Sequence, residues 1–263
     1  VSNLNNESAF FRRIAPPVIA LLNARSREMA VFEDKGAGDY STQLDVDVEN
    51  LIVAELAKQF PRDQILAEEG HADAPLSDGR MWLIDPICGT SNLGKGINNF
   101  CTNIALIDGG QVIAACVVDH SQGDYFWSVG GGQVFVNDKP CQPPAPELGL
   151  KIDVDFGSVR GAPREVRQKH NNMLPKLVNN TTYDLVSLNT SLAFAYAAIG
   201  KTDGFINVFN HPWDIAAAAF LVQQAGGALS GTDGAPWTVS TVGAIGGRTP
   251  EIHRELLQLF LSS

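Results

Sequence analysis

Three stretches of acid stand where apolar runs end. Glu68 and Glu69 follow "QILA" (64–67), Asp85 follows "MWLI" (81–84), and Asp214 opens the apolar run "WDIAAAAFLVQQAGG" (213–227). Acids at the boundaries of buried elements can converge from distant chain positions. Hard oxygen ligands of this kind suit Mg2+ or Mn2+, ions that keep several waters and share coordination with phosphate. The residues after Asp85, in "PICGTSN" (86–92), supply the anion half of such a site. Pro86 fixes a turn and Gly89 lets backbone approach a ligand, while Thr90, Ser91 and Asn92 are helix-starting types whose amides would face a phosphate.

Secondary-structure elements have to carry these acids to one place. "ESAFFRRIAPPVIALLNARSREMAVF" (7–32) has helical spacing in two pieces, with Pro16 and Pro17 expected to kink or restart the helix. In "DVDVENLIVAELAKQFP" (45–61), Val48, Leu51, Ile52, Leu56 and Phe60 line one helical face and Pro61 stops it. "QILA" and "MWLI" read as short buried strands. From 100 to 136, apolar runs broken by Gly109-Gly110 and Gly130–132 read as a β-meander. "KPCQPPAPELG" (139–149) reads as a linker or surface connection. Beyond it strands and helices alternate, with helices expected near 163–178, 190–199, 213–225 and 249–261. One catalytic unit is expected, built from an N-terminal α+β half (1–140) with a mixed or antiparallel sheet and a C-terminal α/β half (150–263).

Composition narrows the partners. A net charge of −10 argues against a nucleic-acid or anionic-membrane surface, which needs clustered Lys and Arg. With no run of 18 apolar residues a membrane span is not expected. Cys88, Cys101, Cys116 and Cys141 show no CxxC spacing, and the N-terminus has no secretory pattern, so reduced thiols and a cytoplasmic location are expected. The five histidines are scattered without metal-ligand spacing.

Four segments in order resemble one family. "DPICGTSN" (85–92) resembles the first signature of the inositol monophosphatase family, which carries an aspartate where Cys88 stands. "WDIAAAAFLVQQAGG" (213–227) is similar to its second signature, "LAEEG" (66–70) to its glutamate segment, and "KGAGDYSTQLDVDVE" (35–49) to its N-terminal segment. The resemblance spans residues 8 to 261. It implies a layered α/β/α/β/α sandwich, a homodimer, and Mg2+- or Mn2+-dependent hydrolysis of a small phosphorylated metabolite by activated water. Carried over residue by residue, it implies that Glu68, Asp85 and the Ile87 carbonyl hold one metal. Asp85 and Asp214 would hold a second, together with position 88. Gly89 and Thr90 would offer amides to the phosphate, Thr90 with Asp45 would orient the attacking water, and Glu68 would help to place it. Asp214 would also border the substrate, and Lys35 either pairs with its phosphate or stands as a solvated loop lysine.

The chain departs from that pattern at several places. A neutral thiol at Cys88 is a poor Mg2+ ligand; a thiolate there would favour Mn2+ or Zn2+, and a buried filler would weaken the second metal. Asn207 stands where some members carry a glutamate for a sugar-like ring, and Leu188 and Asn189 replace a Gly-Ser or Gly-Thr pair. These changes point away from inositol phosphate and toward another sugar, polyol or nucleotide phosphate. They also leave open a catalytically impaired protein that binds a phosphorylated ligand or a protein partner.

Overall fold

A computed structural model describes residues 4–25, 31–36, 39–72, 74–143 and 149–263. The first part of the chain runs α1 (Asn5–Arg25), β1 (Val31–Gly36), β2 (Asp39–Thr42), α2 (Gln43–Gln59), β3 (Gln64–Ala67), β4 (Met81–Cys88), α3 (Thr90–Gly94), β5 (Cys101–Asp108), β6 (Gln111–Asp119), β7 (Asp124–Ser128), β8 (Phe135–Val136) and β9 (Lys139–Pro140). The second runs β10 (Lys151–Val154), α4 (Arg164–Asn180), β11 (Asp184–Val186), α5 (Leu192–Ile199), β12 (Gly204–Asn207), α6 (Pro212–Gln224), β13 (Ala228–Ser230), β14 (Ala244–Gly247) and α7 (Pro250–Leu261).

Strands β3 to β9 form a seven-stranded sheet in sequence order, antiparallel except for the parallel pair β3 and β4. A five-stranded mixed sheet has the order β11-β10-β12-β14-β13. Three apolar clusters glue the layers. One joins α1 and α2 to the outer face of the large sheet, a second packs α5 and α6 between the two sheets, and a third joins α4 and α7 to the far face of the smaller sheet. The result is an α/β/α/β/α sandwich. No described helix is long and apolar enough to cross a membrane.

The central layer explains the run of alanines. Ala216, Ala217, Ala218 and Ala219 on α6 are each fully buried between the sheets, where small side chains let the helix sit close to both neighbours. His211 and Pro212 start α6, so Asp214 lies in its first turn, close to Asp85 at the end of the apolar run of β4.

Two expectations need correction. Pro16 and Pro17 do not restart the first helix: α1 is continuous through both. Its buried face of Phe10, Phe11, Ile14, Ala15, Val18 and Leu22 is unbroken, and Phe10 packs on Trp82 with ring centroids 5.3 Å apart. That packing outweighs a proline cost of ~3 kcal/mol. The helical spacing of 7–32 also does not hold to its end, since Val31 begins a strand that pairs with Thr42 in an antiparallel hairpin. The linker reading of 139–149 falls partly outside the described residues, at 144–148.

Replacing Ala217 by Leu is expected to destabilise the fold by about 1–3 kcal/mol through overpacking. Chemical denaturation checks this, and an unchanged midpoint would contradict the tight central layer.

Candidate active site

The seven-stranded sheet delivers two of the acids side by side. Strands β3 and β4 are parallel, pairing Ala67 with Ile84, and the Glu68 N–H donates to the Ile84 carbonyl at 3.2 Å. Glu68, just past the end of β3, and Asp85, within β4, therefore lie at the same level. The turn behind Glu68 is clamped by Glu49 on α2. Its carboxylate accepts the backbone N–H groups of Glu69 and Gly70, both at 2.8 Å, and lies 3.3 Å from His71 Nδ1. Ser41 donates to Glu69 Oε2 at 2.7 Å, which tethers the β1–β2 hairpin to the same turn.

Strand β4 is irregular after Asp85, since its register with β5 is lost between Asp85 and Cys88. The Pro86 carbonyl accepts from the Thr102 hydroxyl at 2.6 Å, and that hydroxyl lies 2.9 Å from His120 Nε2. Burial pushes His120 down to a pKa of about 3, so the ring is neutral at physiological pH. Gly89 follows with φ +99°, where a Cβ would come within 2.5 Å of Thr190 Cγ2. A side chain at 89 is excluded on both conformational and steric grounds.

Glu68, Asp85 and Asp214 each place a potential ligand atom within 4.8 Å of the others. Asp85 is 1% exposed, and its Oδ1 has no hydrogen-bond partner. Burial pushes its pKa well above the usual carboxylate range, and Cys88, Glu68 and Asp214 nearby raise it further. A buried carboxylate oxygen with no donor is costly, and a cation at this point would remove the cost. Three converging carboxylates make a hard oxygen donor set, so the residues present fit a divalent ion of the Mg2+ or Mn2+ kind.

Known proteins share this architecture. The family model described as the inositol monophosphatase family matches residues 11–263. The chain belongs to the inositol monophosphatase family. It is 34% identical to an inositol-1-monophosphatase of Mesorhizobium japonicum over 204 residues, which is 76% of this chain and 75% of that one. It is 29% identical to the inositol monophosphatase of Dictyostelium discoideum over 254 residues, covering 95% and 92% of the two chains. The Thermotoga maritima IMPase structure superposes with a TM-score of 0.83 over 97% of both chains, at 25% identity.

The remaining expected site residues of this inositol monophosphatase family member are distributed around the triad. Asp45 is buried in the first turn of α2, in a capping box with Thr42: Asp45 Oδ2 accepts the Thr42 N–H at 2.9 Å and the Thr42 hydroxyl, and Thr42 Oγ1 accepts the N–H groups of Leu44 and Asp45. Burial raises the Asp45 pKa to about 6, against hydrogen bonds from Thr42 and Thr90 that lower it. Thr90 Oγ1 lies 3.0 Å from Asp45 Oδ1 and 2.8 Å from the Ile87 carbonyl, so its single proton is shared between two acceptors. Asn207 ends β12 and is buried, with its Nδ2 on Asp155 Oδ2 at 2.7 Å. The Lys35 side chain lies outside the described residues.

Cys88 lies beside Asp85 and Asp214 but is not one of the three ligand groups that, among the described residues, lie within 4.8 Å of one another. It faces Cys101 across the β4–β5 ladder, and its Sγ accepts the Ser191 N–H at 3.3 Å. Contact with Cys101 and burial push the thiol well above its usual range, which makes it a neutral group.

Sequence reading passed over Glu49, Asn103 and Ser191. Asn103 Nδ2 lies 2.7 Å from Ser191 Oγ, 2.9 Å from the Asp214 carbonyl and 3.3 Å from Asp85 Oδ2. It thus ties two of the acids together from β5. The alternation of "CTNIALI" places Asn103 among apolar residues, and that polar interruption is the one signal the sequence held.

Cys88→Asp adds a charge beside Asp85 and Asp214. It is expected to tighten Mn2+ binding by about tenfold or more, or about 1.4 kcal/mol. Isothermal titration checks this, and an unchanged affinity and stoichiometry would show that the thiol does not limit a second ion.

Proposed function

We propose that this protein hydrolyses a small phosphate monoester, a sugar, polyol or nucleotide phosphate, with Mg2+ or Mn2+ held by Glu68, Asp85 and Asp214. The observation that carries the reading is the buried Asp85 Oδ1, which has no hydrogen-bond partner and lies within a triad of acids. The substitutions at Asn207, Leu188 and Asn189 support a substrate other than inositol phosphate.

A divalent ion bound there would screen the phosphate charge and lower the pKa of water. Glu68, Asp85 and the Ile87 carbonyl would hold one ion. Asp85 and Asp214 would hold a second more weakly, because the Cys88 thiol is neutral. The Thr90 hydroxyl would donate to Asp45 Oδ1, 3.0 Å away, leaving its lone pairs to accept a hydrogen bond from the attacking water, whose proton would pass through Thr90 to Asp45. Asp45 must be ionised to hold Thr90 in that orientation. The backbone of Gly89 and Thr90 would receive the phosphate, and no side chain at 89 obstructs it. The water oxygen would bond to phosphorus as the ester P–O bond breaks, and the leaving oxygen would take a proton from solvent water, offset by the proton passed to Asp45, to give an alcohol and inorganic phosphate. Glu68 would help to place the water.

Turnover is expected against a panel of phosphate monoesters with Mg2+ or Mn2+, and Asp85→Asn is expected to lower kcat/KM by at least about a hundredfold, or about 2.7 kcal/mol. The raised pKa of Asp45 means that the carboxylate is protonated below about pH 6, so kcat is expected to fall as pH drops through about 6. Turnover with no metal, or equal turnover by Asp85→Asn, would contradict the reading. Binding of phosphorylated ligand without turnover under any metal would favour a silent binding protein instead.

A further inference from the structure

The carboxylate of Asp214 is held from behind by the loop that leads into its helix. Its Oδ2 accepts the His211 backbone N–H at 2.8 Å and the side-chain amide nitrogen of Asn210 at 3.2 Å. The same Asn210 nitrogen donates to the Phe209 carbonyl at 2.9 Å, and the Asn210 oxygen accepts from Asn207 Nδ2 at 2.6 Å and lies 2.8 Å from Asn207 Oδ1. This is the amide orientation in which the Asn210 nitrogen meets the acceptors of Asp214 and Phe209. Asn207 Nδ2 also donates to Asp155 Oδ2 at 2.7 Å. Asp155 Oδ1 in turn accepts the N–H groups of Gly157 at 2.7 Å and Ser158 at 3.1 Å, at the start of a short 3-10 turn after β10.

These bonds form a chain with a direction. Asp155 offers acceptors, so it takes the nitrogen of Asn207 and fixes which way that amide points. The second N–H of Asn207 then takes the oxygen of Asn210, which leaves the Asn210 nitrogen facing Asp214. Both amide hydrogens of Asn207 are thereby committed within the protein. Asn207 is 3% exposed and Asp155 8%, so water competes weakly for these bonds.

We propose that Asn210 and Asn207 are positioning residues that orient Asp214 toward a bound cation, with Asp155 setting the direction of the relay. This rests on the reading of Asp214 as a cation ligand. It moves Asn207 from the organic part of the substrate to the support of the metal centre. Partners that orient a ligating carboxylate are worth about 10- to 100-fold in metal affinity.

The test is a Mn2+ titration of the metal-free protein without phosphate, with free Mn2+ read by electron paramagnetic resonance. Asn210→Ala is expected to raise the Mn2+ Kd by about tenfold. Asp155→Asn, which changes the direction of the relay at its far end, is expected to weaken binding to a similar degree. The double variant should bind no more weakly than Asn210→Ala alone, because both changes break one path. A general structural defect would instead lower the melting temperature of the metal-free protein and give additive losses. Either that pattern or unchanged Mn2+ affinity in both single variants would overturn the relay. A raised KM in Asn207→Ala with wild-type Mn2+ affinity would return Asn207 to the substrate. A wild-type protein that binds no Mn2+ would remove the cation centre itself, a result distinct from a variant that matches a binding wild type.

Discussion

Placing one buried carboxylate beside two other acids is the constraint on which this site depends. Asp85 sits inside a strand that is buried on both faces, just before its register with β5 shifts, with one oxygen on the Asn103 amide and the other on no donor. Left alone, such a group resists ionisation, as its raised pKa reflects. The scaffold nevertheless invests several elements in holding it. Strand β3 brings Glu68 alongside, α6 brings Asp214 from the other end of the chain, and Asn103 reaches both Asp85 and the backbone of Asp214. A fold that concentrates negative charge in this way stabilises the site only when positive charge completes it.

The layers are arranged around that need. The alanines of α6 allow a helix to lie between two sheets, and its first turn then reaches the end of β4. Glu49 is spent on the turn that follows β3, where its two oxygens hold the Glu69 and Gly70 amides. Asp45 and Thr42 cap α2 and at the same time bring a carboxylate to Thr90. In each case one residue settles a local backbone requirement and also fixes a group at the site, which leaves little freedom to change either alone.

Much of this was legible along the chain because short-range rules govern it. The acids at the ends of apolar runs, the glycine before Thr90 and the helical face of α2 all follow from neighbours a few residues away. The continuity of α1 through Pro16 and Pro17 was not legible, because packing on Trp82 decides it. Glu49, Asn103, Ser191 and Asn210 were also hidden. Ser191 meets Cys88 and Asn103 from about a hundred residues away, and Asn103 meets Asp214 from 111. Cys88 shows both limits at once. Its place in the sequence put it at a metal position, while its thiol is occupied by Cys101 and the Ser191 amide, contacts that appear only after folding.

The central claim is that the Glu68, Asp85 and Asp214 carboxylates form a cation site, and anomalous diffraction from crystals grown with Mn2+ and phosphate tests it most directly. The account predicts an anomalous peak coordinated by carboxylate oxygens of all three residues, with phosphate density beside Gly89 and Thr90. Full-occupancy Mn2+ elsewhere on the protein, with Asp85 Oδ1 still lacking a partner, would contradict it.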